Sequence, residues 1–434
     1  MTLSWLNGRA CRPVLGLCLF FLTSVAGAED WPQWRGPGRE GICRETGLLK
    51  EWPDGGPKLL WQVKGCGTGY SAPTVAAGRI YGMGYKDGNE VVWARDEKNG
   101  AELWSTKIAA ALNRQQLGGY AGSRCSPTVD GEMVYAVGAA GDLVCLSAAK
   151  GEVKWKKNFK TDFGGRMMSG WGFSESPLVD GDRLICTPGG DQAALVALNK
   201  ADGKVLWRSA IATAGGAGYA SIVTAELKGI KQYITTLGKA LVSVEAGKGK
   251  LLWRYDRIAN PVANIPTAIV VDDHLICSTG YKQGGLAVLQ MSPKGKEGVQ
   301  VKEVFYHDNR SLQNHHGGMV RQGDYLYLCH GHNSGAPTCF NWKTNQIQWK
   351  QSQRALGEGS ACLLFADGNL YIRYEGGTMV LVEANPLSFK LKGKFKLPDN
   401  SGFPSWPHPV IANGKMYIRD QDLLLCFDVK AKES

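Results

Sequence analysis

The sequence predicts an all-β fold, a single eight-bladed β-propeller of four-stranded antiparallel blades. Three observations predict it. A pattern of about 48 residues recurs along most of the 434-residue chain. Within each copy, short alternating apolar runs are separated by tight turns, often Asp-Gly, which is the signature of hairpin-connected strands. Several copies close on Gly-x-x-x-Trp. The 57 glycines fit a chain with many tight turns.

The repeat is clearest in "SRCSPTVDGEMVYAVGAAGDLVCLSAAKGEVKW" at 123–155, set beside "SESPLVDGDRLICTPGGDQAALVALNKADGKVLW" at 174–207. Each reads Ser-Pro, a short strand, a turn, a second and third strand, a Gly-containing turn, and a strand bearing Trp. The first turn of each copy falls near 78, 131, 181, 229, 273, 323, 368 and 414. A four-stranded unit of this length cannot bury both apolar faces alone, so eight units packed radially are expected. The last copy stops after three strands, at "LLLCFDV". The run "PKLLWQVKG" at 57–65 looks like a Trp-bearing fourth strand and is expected to complete the last blade, closing the ring without a covalent link. Trp61, Trp104, Trp155, Trp207, Trp253 and Trp349 then occupy equivalent outer-strand positions, where they are expected to dock blade on blade.

Ahead of the repeats, Arg9 and Arg12 precede the apolar run "PVLGLCLFFLTSV", and "AGA" ends at Ala28. This reads as a secretory signal peptide over 1–28, with an uncleaved anchor as the alternative. The domain reading is therefore 1–28 signal peptide, 29–56 N-terminal extension and 57–434 propeller, in a monomeric periplasmic or secreted protein with no transmembrane segment in the mature chain. Whether 29–56 wraps the outside or plugs a mouth is open. Losing Arg9 and Arg12 leaves a net charge of about +9. The densest basic run, "KLKGKFK" at 390–396, places lysine at alternate positions, as an exposed strand face or protected edge does. Nucleic acid is not an expected partner. Cys145, Cys186, Cys277, Cys329 and Cys426 sit inside apolar runs and are expected to be buried thiols; a Cys43–Cys66 disulfide is conceivable.

The endings "GAELW", "GEVKW", "GKVLW" and "GKLLW", with "ARDEKNGAELW" at 94–104 as the fullest case, resemble the PQQ-like (pyrroloquinoline-quinone) β-propeller repeat of quinoprotein alcohol dehydrogenases and of the outer-membrane assembly lipoprotein. The segment "DWPQWRGPGREGI" at 30–42 is similar to the start of secreted bacterial members. The resemblance covers nearly all of the chain beyond the leader. It implies the propeller fold and leaves two activities open, assembly or binding on one side and quinone-dependent oxidation on the other. The larger dehydrogenases cover their quinone with adjacent cysteines and hold calcium with carboxylates and an amide. This chain has no adjacent cysteines.

In a propeller the first strand of each blade is innermost, so residues just before it crowd one channel mouth, at the same end as the loop between strands two and three. The repeats agree around these positions and differ at them. Tyr70, Arg124, Trp171, Glu175, Tyr219, Asn264, His316, Glu358, Trp406 and His408 are accordingly the candidate ligand-facing rim, and solvated loop ends are the plain alternative. In the sixth copy, counting outward from Gly323 pairs His316 with His330 and Asn314 with His332. His316, His330 and His332 become weak metal candidates, with His315 on the other strand face.

No serine sits in a G-x-S-x-G elbow, and no Walker or EF-hand loop is present. The first functional expectation is a binding or assembly scaffold acting through the rim, without catalysis, on an envelope protein or small ligand. The alternative is a quinoprotein alcohol dehydrogenase using PQQ with calcium, in which Arg124 pairs with a cofactor carboxylate and Glu175 or Glu358 acts as base or helps hold calcium. A metal- or carbohydrate-binding propeller is the third reading.

Overall fold

A computed structural model describes residues 1–2, 29–296 and 298–432. The expected signal peptide thus falls almost wholly outside the described residues. Among them, no helix is long and apolar enough to cross a membrane.

Eight sheets form an eight-bladed propeller. The innermost strands are Thr74–Ala76, Thr128–Asp130, Leu178–Asp180, Val223–Leu227, Ile269–Val271, Asn314–Gln322, Ala361–Ala366 and Val410–Ala412. Each leads outward through three antiparallel neighbours. In the eighth blade the outermost place is taken by Lys58–Val63, which pairs antiparallel with Leu423–Asp428. The ring is therefore closed by the N-terminal strand, as its sequence predicts.

The Gly-x-x-x-Trp ending has a direct physical cause. Every outer strand bulges one residue ahead of a docking position. Trp61, Trp104, Trp155, Trp207, Trp253 and Trp349 fill that position in their blades, opposite Cys426, Ala94, Cys145, Ala197, Ser243 and Cys339. In four of these blades the indole N–H reaches the next blade, whereas Trp253 Nε1 donates to Gln232 Oε1 in its own blade at 3.0 Å. Trp104 donates to the Ala148 carbonyl at 3.0 Å, Trp155 to Lys200 at 3.0 Å, Trp207 to Ala246 at 3.1 Å and Trp349 to Asn385 at 2.8 Å. Gly151, Gly203 and Gly249 of the receiving blades lie under Trp104, Trp155 and Trp207, and Gly100 lies under Trp61; a Cβ on any of them would come within 3 Å of the ring. The Gly and Trp of one repeat thus serve two different interfaces.

In the seventh blade the docking position carries Gly393, opposite Leu381. Trp52 of the N-terminal extension fills the gap. Its ring packs on Phe395 at 5.2 Å and Tyr371 at 5.8 Å, and its backbone N–H donates to the Lys392 carbonyl at 2.9 Å. The strand Leu391–Lys396 is the blade's outer edge, with Lys394 and Lys396 exposed.

The extension also plugs the channel. Trp31 bridges Val75, and the Pro32 carbonyl accepts from Val129 N–H at 2.8 Å. Trp34 Nε1 donates to Thr267 Oγ1 at 3.1 Å, Arg35 to the Met319 carbonyl, and Arg39 to the Ser176 carbonyl at 2.6 Å. Gly41 accepts from Phe365 N–H, and Ile42–Cys43 runs parallel to Phe365–Ala366. Residues 31–41 therefore touch the innermost strands, or the residues just before them, of blades one, two, three, five, six and seven. All ten described cysteines are buried free thiols, including Cys43 and Cys66, so those two do not form a disulfide.

Candidate functional site

Above the plug, at the channel mouth, lies a cavity of about 510 Å³. Tyr70, Arg124, Trp171, Tyr219, His316 and Trp406 line it, and His408 forms part of its floor beside Trp34. Three sequence candidates are placed elsewhere. Glu175 is buried and turned inward, where its carboxylate accepts the Thr187 N–H at 2.5 Å; its neighbour Ser174 faces the cavity instead. Asn264 is buried and donates to the Leu237 and Gly238 carbonyls, while Ala263 and Ile265 line the cavity. Both reflect the alternation of an extended chain, in which a one-residue step changes face. Glu358 is exposed and outside the lining.

The structure adds residues that strand starts alone do not reveal. Tyr281, His332 and Glu375 come from the loops between second and third strands of blades five, six and seven. Those loops lie at the same end as the strand starts, so the rule that found the rim also reaches them. Tyr120 comes from the connection between blades one and two. Trp34 comes from the plug, for which no repeat offers a signal.

The histidine hairpin differs from the expected pairing. Asn314, not His316, faces His330, and Met319 faces Leu328, because residues 315–318 form an extended bulge. Gly318 adopts φ +70°, which lets the chain turn there. The bulge swings both His315 and His316 to the cavity, their rings 4.4 Å apart, with His332 4.4 Å from His315. His330 stays behind, its Nδ1 accepting the Gln313 N–H at 3.2 Å. The three metal candidates do not converge, and among the described residues no group of three or more His, Cys, Asp or Glu is arranged to hold a metal ion.

The walls are preorganised. The Trp171 backbone N–H donates to Tyr219 Oη, Tyr219 bonds Ser169 Oγ at 2.7 Å, and Ser169 donates to the Val262 carbonyl at 2.7 Å. Elsewhere in the lining Tyr70 stacks on Trp406 with centroids 4.3 Å apart, and the Arg124 guanidinium lies 5.2 Å from the Tyr70 ring centroid. Arg124 donates to the Gly122 carbonyl at 2.7 Å and the Tyr120 carbonyl at 2.5 Å. Burial lowers its pKa, an effect that the nearby tyrosines and the Glu90 carboxylate partly offset, and among the described residues no carboxylate is in ion-pair contact with it.

Glu375 is the carboxylate of the lining. Its Oε1 accepts from His316 Nε2 at 3.0 Å and from Trp406 Nε1 at 2.6 Å, and its Oε2 from Ser360 N–H at 3.1 Å. Burial pushes its pKa up, but the His316 and Trp406 donors outweigh this and hold it below the ordinary value. His315 is kept neutral by burial and by its imidazole neighbours. Ser360 Oγ accepts from Asn333 N–H at 3.0 Å and shares a second hydrogen bond with His315 Nδ1 at 2.7 Å.

Comparison with known proteins agrees with this architecture. The family model described as outer membrane protein assembly factor BamB matches residues 88–351, more than half of the chain. No curated protein shows significant sequence similarity to it. Among solved structures, BamB from Moraxella catarrhalis is similar with a TM-score of 0.59 at 13% identity, covering 87% of this chain and 98% of that one. Quinohemoprotein alcohol dehydrogenase from Comamonas testosteroni superposes with a TM-score of 0.65 at 12% identity, covering 95% of this chain and 82% of that one. A europium-containing methanol dehydrogenase gives 0.65 at 11% identity, covering 90% and 89%. Identities this low speak to the fold alone. The family match, the eight four-stranded blades and the Gly–Trp docking register together show that the chain belongs to the PQQ-like repeat β-propeller family of outer membrane protein assembly factor BamB.

Proposed function

We propose that this protein is a ligand-binding propeller. Its channel-mouth cavity takes a small, planar, anionic molecule between aromatic walls, with the negative group on Arg124, and it works by binding rather than by chemistry. The observation that carries this reading is Arg124 itself. A guanidinium has five N–H donors, two hydrogen bonds tie it to its own loop, and it sits on an aromatic wall with no carboxylate in ion-pair contact among the described residues. Aromatic faces would also suit a sugar; a guanidinium in the lining with no carboxylate in ion-pair contact favours an anion. The plug closes the cavity beneath, which favours a small molecule over a protein partner.

Glu375 supports the absence of chemistry. Three N–H donors hold its two oxygens, so it fastens the wall and is poorly placed to take a proton from a ligand. A calcium-held quinone does not fit this donor set. Calcium takes about six to eight oxygen ligands, and among the described residues the lining offers one carboxylate, already engaged. The leader and the family description support a periplasmic or secreted location, and in this reading the protein acts as a monomer. The test is a thermal-shift panel of aromatic carboxylates against their uncharged amides. Stabilisation by the acids only is expected; equal response to both, or none to either, overturns the proposal.

A further inference from the structure

The N-terminal plug does more than block the channel. Trp34 forms part of the cavity floor and packs on His408 with centroids 4.6 Å apart. Arg35 is buried, and its Nη1 lies 3.2 Å from His408 Nδ1. An arginine only donates, so His408 Nδ1 is the acceptor and its proton sits on Nε2. That Nε2 lies 3.1 Å from the carbonyl of His316, so His408 donates to the backbone of the cavity histidine. Burial and the adjacent Arg35 charge keep His408 neutral. The carbonyl it holds lies inside the 315–318 bulge. Arg35 also fills the space beside Gly318, where a Cβ would meet both its guanidinium and His408.

We infer that Arg35 is a positioning residue for the channel-mouth site: through His408 it fixes the His316 carbonyl, and so the bulge that turns His315 and His316 to the cavity. The extension is then a component of the ligand site, which is incomplete without it. The inference rests on the ligand-binding reading for its purpose, but the relay itself does not need a ligand.

The test uses the full chain with ¹⁵N-labelled histidine. In the wild type, His408 is expected to show an unprotonated Nδ1 and a protonated Nε2, and His316 a protonated Nε2. In R35M the His408 nitrogens are expected to move towards a mixed tautomer and the His316 signals to shift with them, while R35K, which keeps a donor, retains most of the wild-type pattern. Affinity for pyrroloquinoline quinone, used as an aromatic tricarboxylate probe, is expected to fall by about tenfold in R35M. A wild-type His408 protonated on Nδ1 would overturn the relay, and needs no variant to fold. So would R35M signals identical to wild type. A normal relay with no binding of any aromatic carboxylate would instead overturn the ligand reading and leave the relay standing.

Discussion

Gly203 lies directly beneath the indole of Trp155, one blade away, so that a Cβ on the glycine would sit 2.9 Å from the ring. The same indole donates to the carbonyl of Lys200, three residues earlier. Gly203 also adopts φ +71°, in the left-handed region. Adding a side chain there costs twice, in backbone strain and in displacing the indole. G203A is expected to destabilise the protein by about 1–3 kcal/mol, and W155A by about 3–5 kcal/mol. Urea melts of both and of the double variant check this. The double variant is expected to lose less than the sum, because one contact is removed twice.

Trp52 should behave like the docking tryptophans, although it lies outside the repeats. W52A is expected to cost about 3 kcal/mol. It should also raise amide exchange in Leu391–Lys396 while leaving Val153–Asn158 at its wild-type rate. Uniform acceleration across both strands would show that Trp52 stabilises no particular blade.

Glu90 supplies a pH dependence of opposite sign to that of an ordinary surface carboxylate. It is fully buried, accepts the Ala139 N–H at 3.0 Å, and burial pushes its pKa from 4.5 up to about 7. The folded value lies above the unfolded one, so its contribution is full below about 4.5 and is lost as pH rises to about 7. E90Q keeps the acceptor and removes the charge. Relative to wild type, its stability is expected to rise by about 1–3 kcal/mol between pH 5 and pH 8. Denaturation at the two pH values reads the difference directly, and a flat difference contradicts it.

The fold was legible in the sequence because its packing rule repeats. Each Gly-x-x-x-Trp states a local turn and a distant contact in the same few letters, and the missing fourth strand of the last blade had a visible source at 57–65. The rim was legible only in part because it does not repeat. Tyr70, Arg124 and Trp406 fall where the strand starts point. Glu175 and Asn264 sit one residue away from the cavity-facing Ser174, Ala263 and Ile265, a step that periodicity cannot fix at an irregular strand entrance. The hairpin count failed at His316 for a related reason, since a bulge around Gly317 and Gly318 breaks the register on which any count depends. The role of Trp34 and Arg35 was not legible, because nothing local in 29–41 distinguishes a plug from a surface strap.

The central claim is that Arg124 and the aromatic walls bind a small planar anion. Its most direct test is a calcium-free equilibrium titration of the full chain with pyrroloquinoline quinone, followed by quenching of tryptophan emission, in wild type and R124M. Saturable one-to-one binding without calcium, weakened by about tenfold or more in R124M, is expected. No saturable binding, or equal affinity in the two proteins, would contradict it.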